Sequence, residues 1–151
     1  MKKLLKLAVK FSRLSLSEKY CYLEAVLWLG TFRIALMVFP FKALAPWLGI
    51  HMAVDSEPGV TRDAHLVTKK AVSKAVETSA RHLPWESRCL VRAMAGKKML
   101  DRRKIPATLY LGVARAEASV GLRAHAWLRS GEFILTGDMD LDRFAVVSTF
   151  S

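Results

Sequence analysis

The chain has 151 residues, with 24 Lys+Arg against 13 Asp+Glu, a net charge of +11 with histidine neutral, and 52% of it is apolar. This length suits one domain, or one domain with an appendage, and the apolar share argues against wholesale disorder. Two cysteines, Cys21 and Cys89, are too few for a disulfide framework or a Cys-rich zinc site, so a reduced, cytoplasmic setting is expected. The positive excess points to an acidic partner: nucleic acid, a membrane surface or an acidic peptide. It is unevenly spread, with net +5 in residues 1–55, +2 in 56–88, +5 in 89–120 and −1 in 121–151. With no zinc-finger spacing and no interleaving of basic and aromatic residues, nucleic acid is not expected.

Residues 1–12 form a basic amphipathic lead, Leu4, Leu5, Leu7, Val9 and Phe11 alternating with lysines. It reads as a solvated first helix or a membrane- or partner-facing one. Lys6, Lys10 and Arg13 interrupt what would be the apolar part of a signal peptide, and no small-residue cleavage site follows. Ser15-Leu-Ser-Glu18 has the spacing of a capping box, which predicts a long helix to about Phe39. That helix is apolar almost all round and must be buried against something. Its most apolar stretch, Ala25 to Phe39, carries Arg33 near the middle and ends at Pro40. A membrane span needs about 20 apolar residues, and a central Arg costs roughly 2.5–3.5 kcal/mol on insertion scales. A buried or interfacial helix is therefore expected. Phe41 to Leu48 gives one more short helix, broken by Pro46.

Gly49 to Gly59 reads as a loop, with Pro58-Gly59 the strongest break. The series Val60, Ala64, Val67, Ala71, Ala75 then predicts a helix buried on that face, with Lys69, Lys70 and Lys74 elsewhere, ending near His82 before Pro84. A further helix is predicted from about Arg88 to Arg103. Leu90, Ala93, Met94 and Leu100 form its buried stripe, and Lys97, Lys98, Arg102 and Arg103 sit where positive charge suits the helix dipole. After Ile105-Pro106 the pattern changes. Ala107 to Val113 and Ala124 to Arg129 read as strands, the second with His125 and Trp127 on one face and Ala124, Ala126 and Leu128 on the other. Ser130-Gly131 is a turn, Phe133 to Thr136 a return strand, and Ala145 to Thr149 a last strand. Helices followed by antiparallel strands imply an α+β fold.

Cys89 falls at the start of a predicted helix, after Ser87 as a candidate cap. Unpaired backbone N–H groups and the dipole there favour a thiolate, and Arg88 and Arg92 add positive charge. His125 lies in a strand, and Asp138 follows just past the return strand, after Gly137. The order Cys on a helix, then His and Asp on adjacent strands, suits a triad in which His is base to the thiol and Asp fixes its tautomer. Each part also has an ordinary reading: a packed cysteine, a half-buried strand histidine and a turn aspartate.

The local sequence adds to this. Arg88-Cys-Leu-Val-Arg-Ala-Met-Ala, Leu100-Asp-Arg-Arg-Lys-Ile-Pro-Ala, Leu111-Gly-Val, Ala124-His-Ala-Trp-Leu and Gly137-Asp138 together resemble the transglutaminase-like cysteine protease of lasso-peptide biosynthesis in its stand-alone form. The resemblance is densest from Trp85 to Asp138 and extends to the apolar helices ending in Phe39-Pro-Phe. It implies a transglutaminase-like, papain-like core with N-terminal helices packed on or beside it. The chain would divide into a helical segment, residues 1–50, and a protease domain, residues 51–151. It also implies Cys89 as nucleophile, His125 as general base and acid, and Asp138 as orienter, with no cofactor and no metal. The substrate would be the leader of a ribosomal precursor peptide, cut just before a core residue that a separate asparagine-synthetase-like macrocyclase then joins. Recognition of the leader would fall to a separate small protein. Contact with the macrocyclase and peripheral membrane contact through the N-terminal helices are further expectations.

Two positions depart from the family pattern. Lys104 stands where Gly, suited to the left-handed residue after a helix, often precedes Ile-Pro, so either that cap is strained or the turn differs; Arg129 stands where Glu is frequent. Asp140 and Asp142 are rival third members of the triad, placed less favourably than Asp138. His51, His65 and His82 have no partners at metal-ligand spacing and are expected to be solvated or locally bonded, and Cys21 to be a packing residue. No glycine-rich phosphate loop is present. Acyl transfer to an amine on the same fold, and a non-enzymatic basic docking scaffold, are the alternative functions.

Overall fold

The computed structural model describes residues 14–51, 65–115 and 121–151. The expected basic lead, residues 52–59 of the loop, Val60 and Ala64 lie outside the described residues. The elements are α1 (Leu16–Val38), α2 (Phe41–Leu44) running into a 3-10 turn (Ala45–Leu48), α3 (Leu66–His82), α4 (Cys89–Asp101), β1 (Thr108–Arg115), β2 (Leu122–Ser130), β3 (Phe133–Thr136), a 3-10 turn (Leu141–Arg143) and β4 (Ala145–Phe150). The strands form one antiparallel sheet in the order β3-β2-β1-β4. The α+β expectation is met.

The capping box predicted at Ser15 starts α1. Ser15 Oγ accepts the Glu18 N–H at 3.2 Å, and Glu18 Oε2 accepts the Ser15 N–H at 3.0 Å. Such a cap is worth about 1 kcal/mol. The helix is buried against the core as expected, but on one side only. One stripe, Cys21, Glu24, Ala25, Leu29 and Phe32, enters the core, while Leu16, Tyr20, Leu23, Leu27 and Ile34 are exposed. Glu24 is inside because the turn after α4 supplies its counter-charges: Arg103 Nη2 at 2.7 Å and Arg102 Nε at 3.4 Å. Burial works against the Arg103 charge, but the hydrogen bond and charge of Glu24 more than offset it and hold the guanidinium above its ordinary value.

The buried face of α3 also differs from the expected one. Val67 and Ala71 are exposed, and Lys69, Val72, Ala75, Val76, Ser79 and Ala80 face inward. Lys69 is accommodated because Nζ donates to the Ser130 carbonyl at 3.0 Å; burial pulls its ammonium below the usual range. The sheet thus offers an acceptor that the α3 sequence does not reveal.

Helix α4 is central. Val91, Ala93, Met94, Ala95, Gly96, Met99 and Leu100 are all buried, far more than one stripe, while Leu90 is only half-buried. Gly96 lets the sheet approach: a Cβ there would lie 2.9 Å from Leu128 Cδ2. Lys97, expected only to suit the helix dipole, is buried and donates to Asp101 Oδ1 at 3.1 Å and to the Ala107 carbonyl at 2.9 Å. After α4, Lys104 takes the left-handed conformation, with φ 56°, so of the two alternatives open for this position the turn is kept and the non-glycine residue is strained in it. The side chains of α1, α3, α4 and the sheet share one apolar core.

Between β2 and β3 the chain turns through Gly131, with φ 61°, the residue type a tight hairpin wants there. On one face of β2, Ala126 and Leu128 join the core; on the other, Trp127 stacks on Tyr110 of β1 with centroids 5.4 Å apart. Gly112, paired with His125, leaves room for this stack, since a Cβ there would meet the Trp127 ring at 2.8 Å.

Candidate active site

Cys89 is the first residue of α4 and is half-buried. Arg88, not Ser87, holds the cap position, in extended conformation, and no side chain caps the helix. Ser87 is buried instead; its carbonyl accepts from Arg92 Nε at 2.8 Å and its Oγ has no partner. The first-turn amides of α4, including that of Cys89, are therefore left without a side-chain acceptor and open onto an anion-friendly helix end.

The helix end faces an open groove of about 980 Å³. Cys89, His125 and Asp138, the three residues singled out from sequence, all line it. Its charges are balanced. Arg88, Arg92 and Arg123 are met by Glu77, Glu86 and Asp138, and Arg92 pairs with Glu77 at 3.1 Å. The expectation that both arginines near Cys89 serve the thiol holds less well for Arg92, which is committed to Glu77 and to the Ser87 carbonyl.

His125 stands in β2 among aromatic rings. Phe144 lies 5.1 Å from it and Trp127 6.0 Å, centroid to centroid. Its Nε2 lies 2.8 Å from the Gly137 carbonyl. A carbonyl only accepts, so Nε2 carries the proton and, in the neutral ring, Nδ1 carries the lone pair. The turn that aims this carbonyl requires glycine. Gly137 has φ 78°, and a Cβ there would sit 2.6 Å from the Ala126 carbonyl oxygen.

The tautomer is thus fixed by the main chain one residue ahead of Asp138. Asp138 is exposed on the groove and, among the described residues, makes no hydrogen bond to the imidazole, nor does the Cys89 thiol. Catalytic hydrogen bonds commonly form only in the substrate complex. Asp140, at φ 46°, enters the 3-10 turn, and neither it nor Asp142 lines the groove. Sequence reading missed two further groups. The Ser87 and Thr136 hydroxyls are both buried, both without a partner, and both belong to groove-lining residues. Nothing in a lone Ser or a strand-end Thr signals this.

A model of the transglutaminase-like superfamily matches residues 35–149. The chain belongs to this superfamily. Cysteine proteases and acyltransferases both occur in it, and transglutaminase-like proteins are typically enzymes. No curated protein and no solved structure matches the chain. The match begins in the last third of α1, so the transglutaminase-like region covers the whole groove. Outside the groove, His82 is locally bonded as expected, its Nδ1 donating to the Thr78 carbonyl at 2.7 Å, whereas His51 Nε2 reaches the distant β4, 2.6 Å from Ser148 Oγ. Among the described residues, no group of three or more His, Cys, Asp or Glu is placed to hold a metal ion.

Proposed function

We propose that this transglutaminase-like protein is a cysteine peptidase that removes the leader from a ribosomally made lasso-peptide precursor. The observation that carries the reading is one open groove shared by a cysteine on an uncapped helix end and a histidine whose Nδ1 is kept as the basic nitrogen. The Cys-Leu-x-x-Ala and Ala-His-Ala-Trp blocks narrow the superfamily to this substrate class by resemblance.

In the proposed reaction the Cys89 thiol gives its proton to His125 Nδ1, and Sγ attacks the scissile carbonyl carbon. The S–C bond forms as the carbonyl electron pair moves to oxygen, where the Cys89 N–H donates to the developing charge. Collapse breaks the C–N bond, and the imidazolium passes its proton to the leaving amine. Water then attacks the thioester, loses its proton to His125, and releases the carboxylic acid and the thiol. Asp138 supplies a negative charge to the same groove, while the Gly137 carbonyl orients the ring.

The test is incubation of a matched precursor with its recognition protein and this chain, with products read by mass spectrometry. Free leader and free core peptide are expected. A leader joined to an added amine instead identifies an acyltransferase, the other chemistry of the superfamily. Undiminished cleavage by Cys89→Ala would sink both.

A further inference from the structure

Helix α1 carries an apolar stripe that nothing in the described fold covers. At about 100° per residue, Leu16, Tyr20, Leu23, Leu27 and Ile34 fall within roughly 60° of one line along the helix. Leu23 is 62% exposed and Ile34 63%. The 23-residue helix is about 34 Å long, so the stripe is too large to be scattered surface leucines. Met37, Val38 and Phe39 extend the exposed apolar run past its end, and Trp47 is exposed nearby in sequence.

The charges around the stripe are one-sided. Lys19 and Arg33 fall beside it on the helical wheel. Of the two acidic residues in α1, Glu24 faces the core in its ion pairs with Arg102 and Arg103, and Glu18 is held in the cap. Five basic residues and no acidic ones, Lys2, Lys3, Lys6, Lys10 and Arg13, lie in the 13 residues that precede the first described one. An apolar helix face with cations beside it and a basic run ahead of it complements an anionic lipid surface: acyl chains for the stripe and headgroups for the cations.

Taking these together, we infer that α1 is a peripheral membrane anchor that lies flat on an anionic bilayer with Leu16, Tyr20, Leu23, Leu27 and Ile34 buried in the interface. It lies on the membrane and does not cross it. Although α1 is long and apolar enough to span, its opposite face is part of the protein core, and Glu24 is tied to α4. Crossing would require taking the fold apart. This inference is independent of the proposed reaction. It places that reaction at a membrane surface.

The experiment is flotation of the full chain with phosphatidylcholine vesicles, with and without phosphatidylglycerol. Binding is expected to the mixed vesicles only, and to weaken as salt rises from about 0.01 to 0.15 M. The triple variant L23E/L27E/I34E should abolish it with the circular dichroism spectrum kept. If that variant misfolds, Lys2→Gln, Lys3→Gln, Lys6→Gln and Lys10→Gln still decide, each lowering partitioning about fivefold. Equal binding to neutral vesicles, or no binding to either kind, overturns the inference. So does a dimer in solution, by sedimentation, that L23E/L27E/I34E breaks while vesicles go unbound; a second copy would then be the occupant.

Discussion

The chain's two thiols sit on two helices with opposite consequences. Cys21 lies within α1, 8% exposed, its Sγ 3.9 Å from the Ala71 carbonyl. Burial pushes this thiol up, with Arg103 pulling it partly back. Cys89 opens α4, half-buried beside amides that no side chain caps, on the wall of the groove. One residue type thus becomes filler or candidate nucleophile according to its address on a helix, and measurements can press on that contrast from either side.

The largest expected effect is on catalysis. Cys89→Ala and His125→Ala should each lower precursor cleavage about 10³-fold or more, and the double variant little further, because the two act as a unit. Cys21→Ala should leave the rate unchanged. Asp138→Asn should cost about 10–100-fold, less than the ~10⁴ seen where a carboxylate alone sets the tautomer, because Gly137 already does so here. A deficit for Asp138→Asn equal to that of His125→Ala would return the orienting role to the carboxylate.

Alkylation tests the contrast without substrate. Iodoacetamide should label Cys89 in the native protein at least about 100-fold faster than Cys21, which reacts only on opening of the core. Peptide mapping by mass spectrometry reads both sites, and equal rates would erase the distinction.

The core side of the contrast can be probed through the pair that holds α1 to α4. Arg103→Met should cost about 3 kcal/mol in urea unfolding, because it leaves the buried Glu24 carboxylate with Arg102 alone. On the groove side, Thr136→Val removes a buried hydroxyl that has no partner in the free protein. It should stabilise the fold by up to about 1 kcal/mol, read in the same urea titration, and leave cleavage unchanged.

The smallest effect is at the start of α1. The backbone hydrogen bond with Ser15, then that with its hydroxyl, holds the Glu18 carboxyl below its usual range. A lowered folded-state value means that the stabilisation is complete above the free carboxyl's pKa and is lost as pH falls through the folded value. Glu18→Gln should remove that acid-range loss, and Ser15→Ala, which keeps the backbone N–H, only its smaller part, as read from thermal midpoints between neutral and acidic pH.

Much of this contrast was legible in the sequence because it rests on local rules. The capping box, the glycine turn of the hairpin and the order Cys89, His125, Asp138 need only a few neighbouring residues. Partners from distant elements were not legible. Lys69, Lys97 and Glu24 look like surface residues until the Ser130 carbonyl, the Ala107 carbonyl and the two arginines after α4 are beside them. The shifted face of α3 has the same origin, since periodicity cannot tell which of two adjacent stripes the neighbours accept. The main-chain hold on His125 was hidden for another reason: a carbonyl has no letter of its own, and Gly137 marks only that the chain turns there.

Gly137 also divides the groove for anyone redesigning it. No side chain can replace its hydrogen without pushing on the Ala126 carbonyl, so a library randomised there should return glycine whatever peptide is selected for. Arg123 and Met139, exposed on the same groove, carry no such constraint. Substrate preference can drift at those two positions while the histidine keeps its aim, which gives the scaffold a fixed chemical pivot and a replaceable rim.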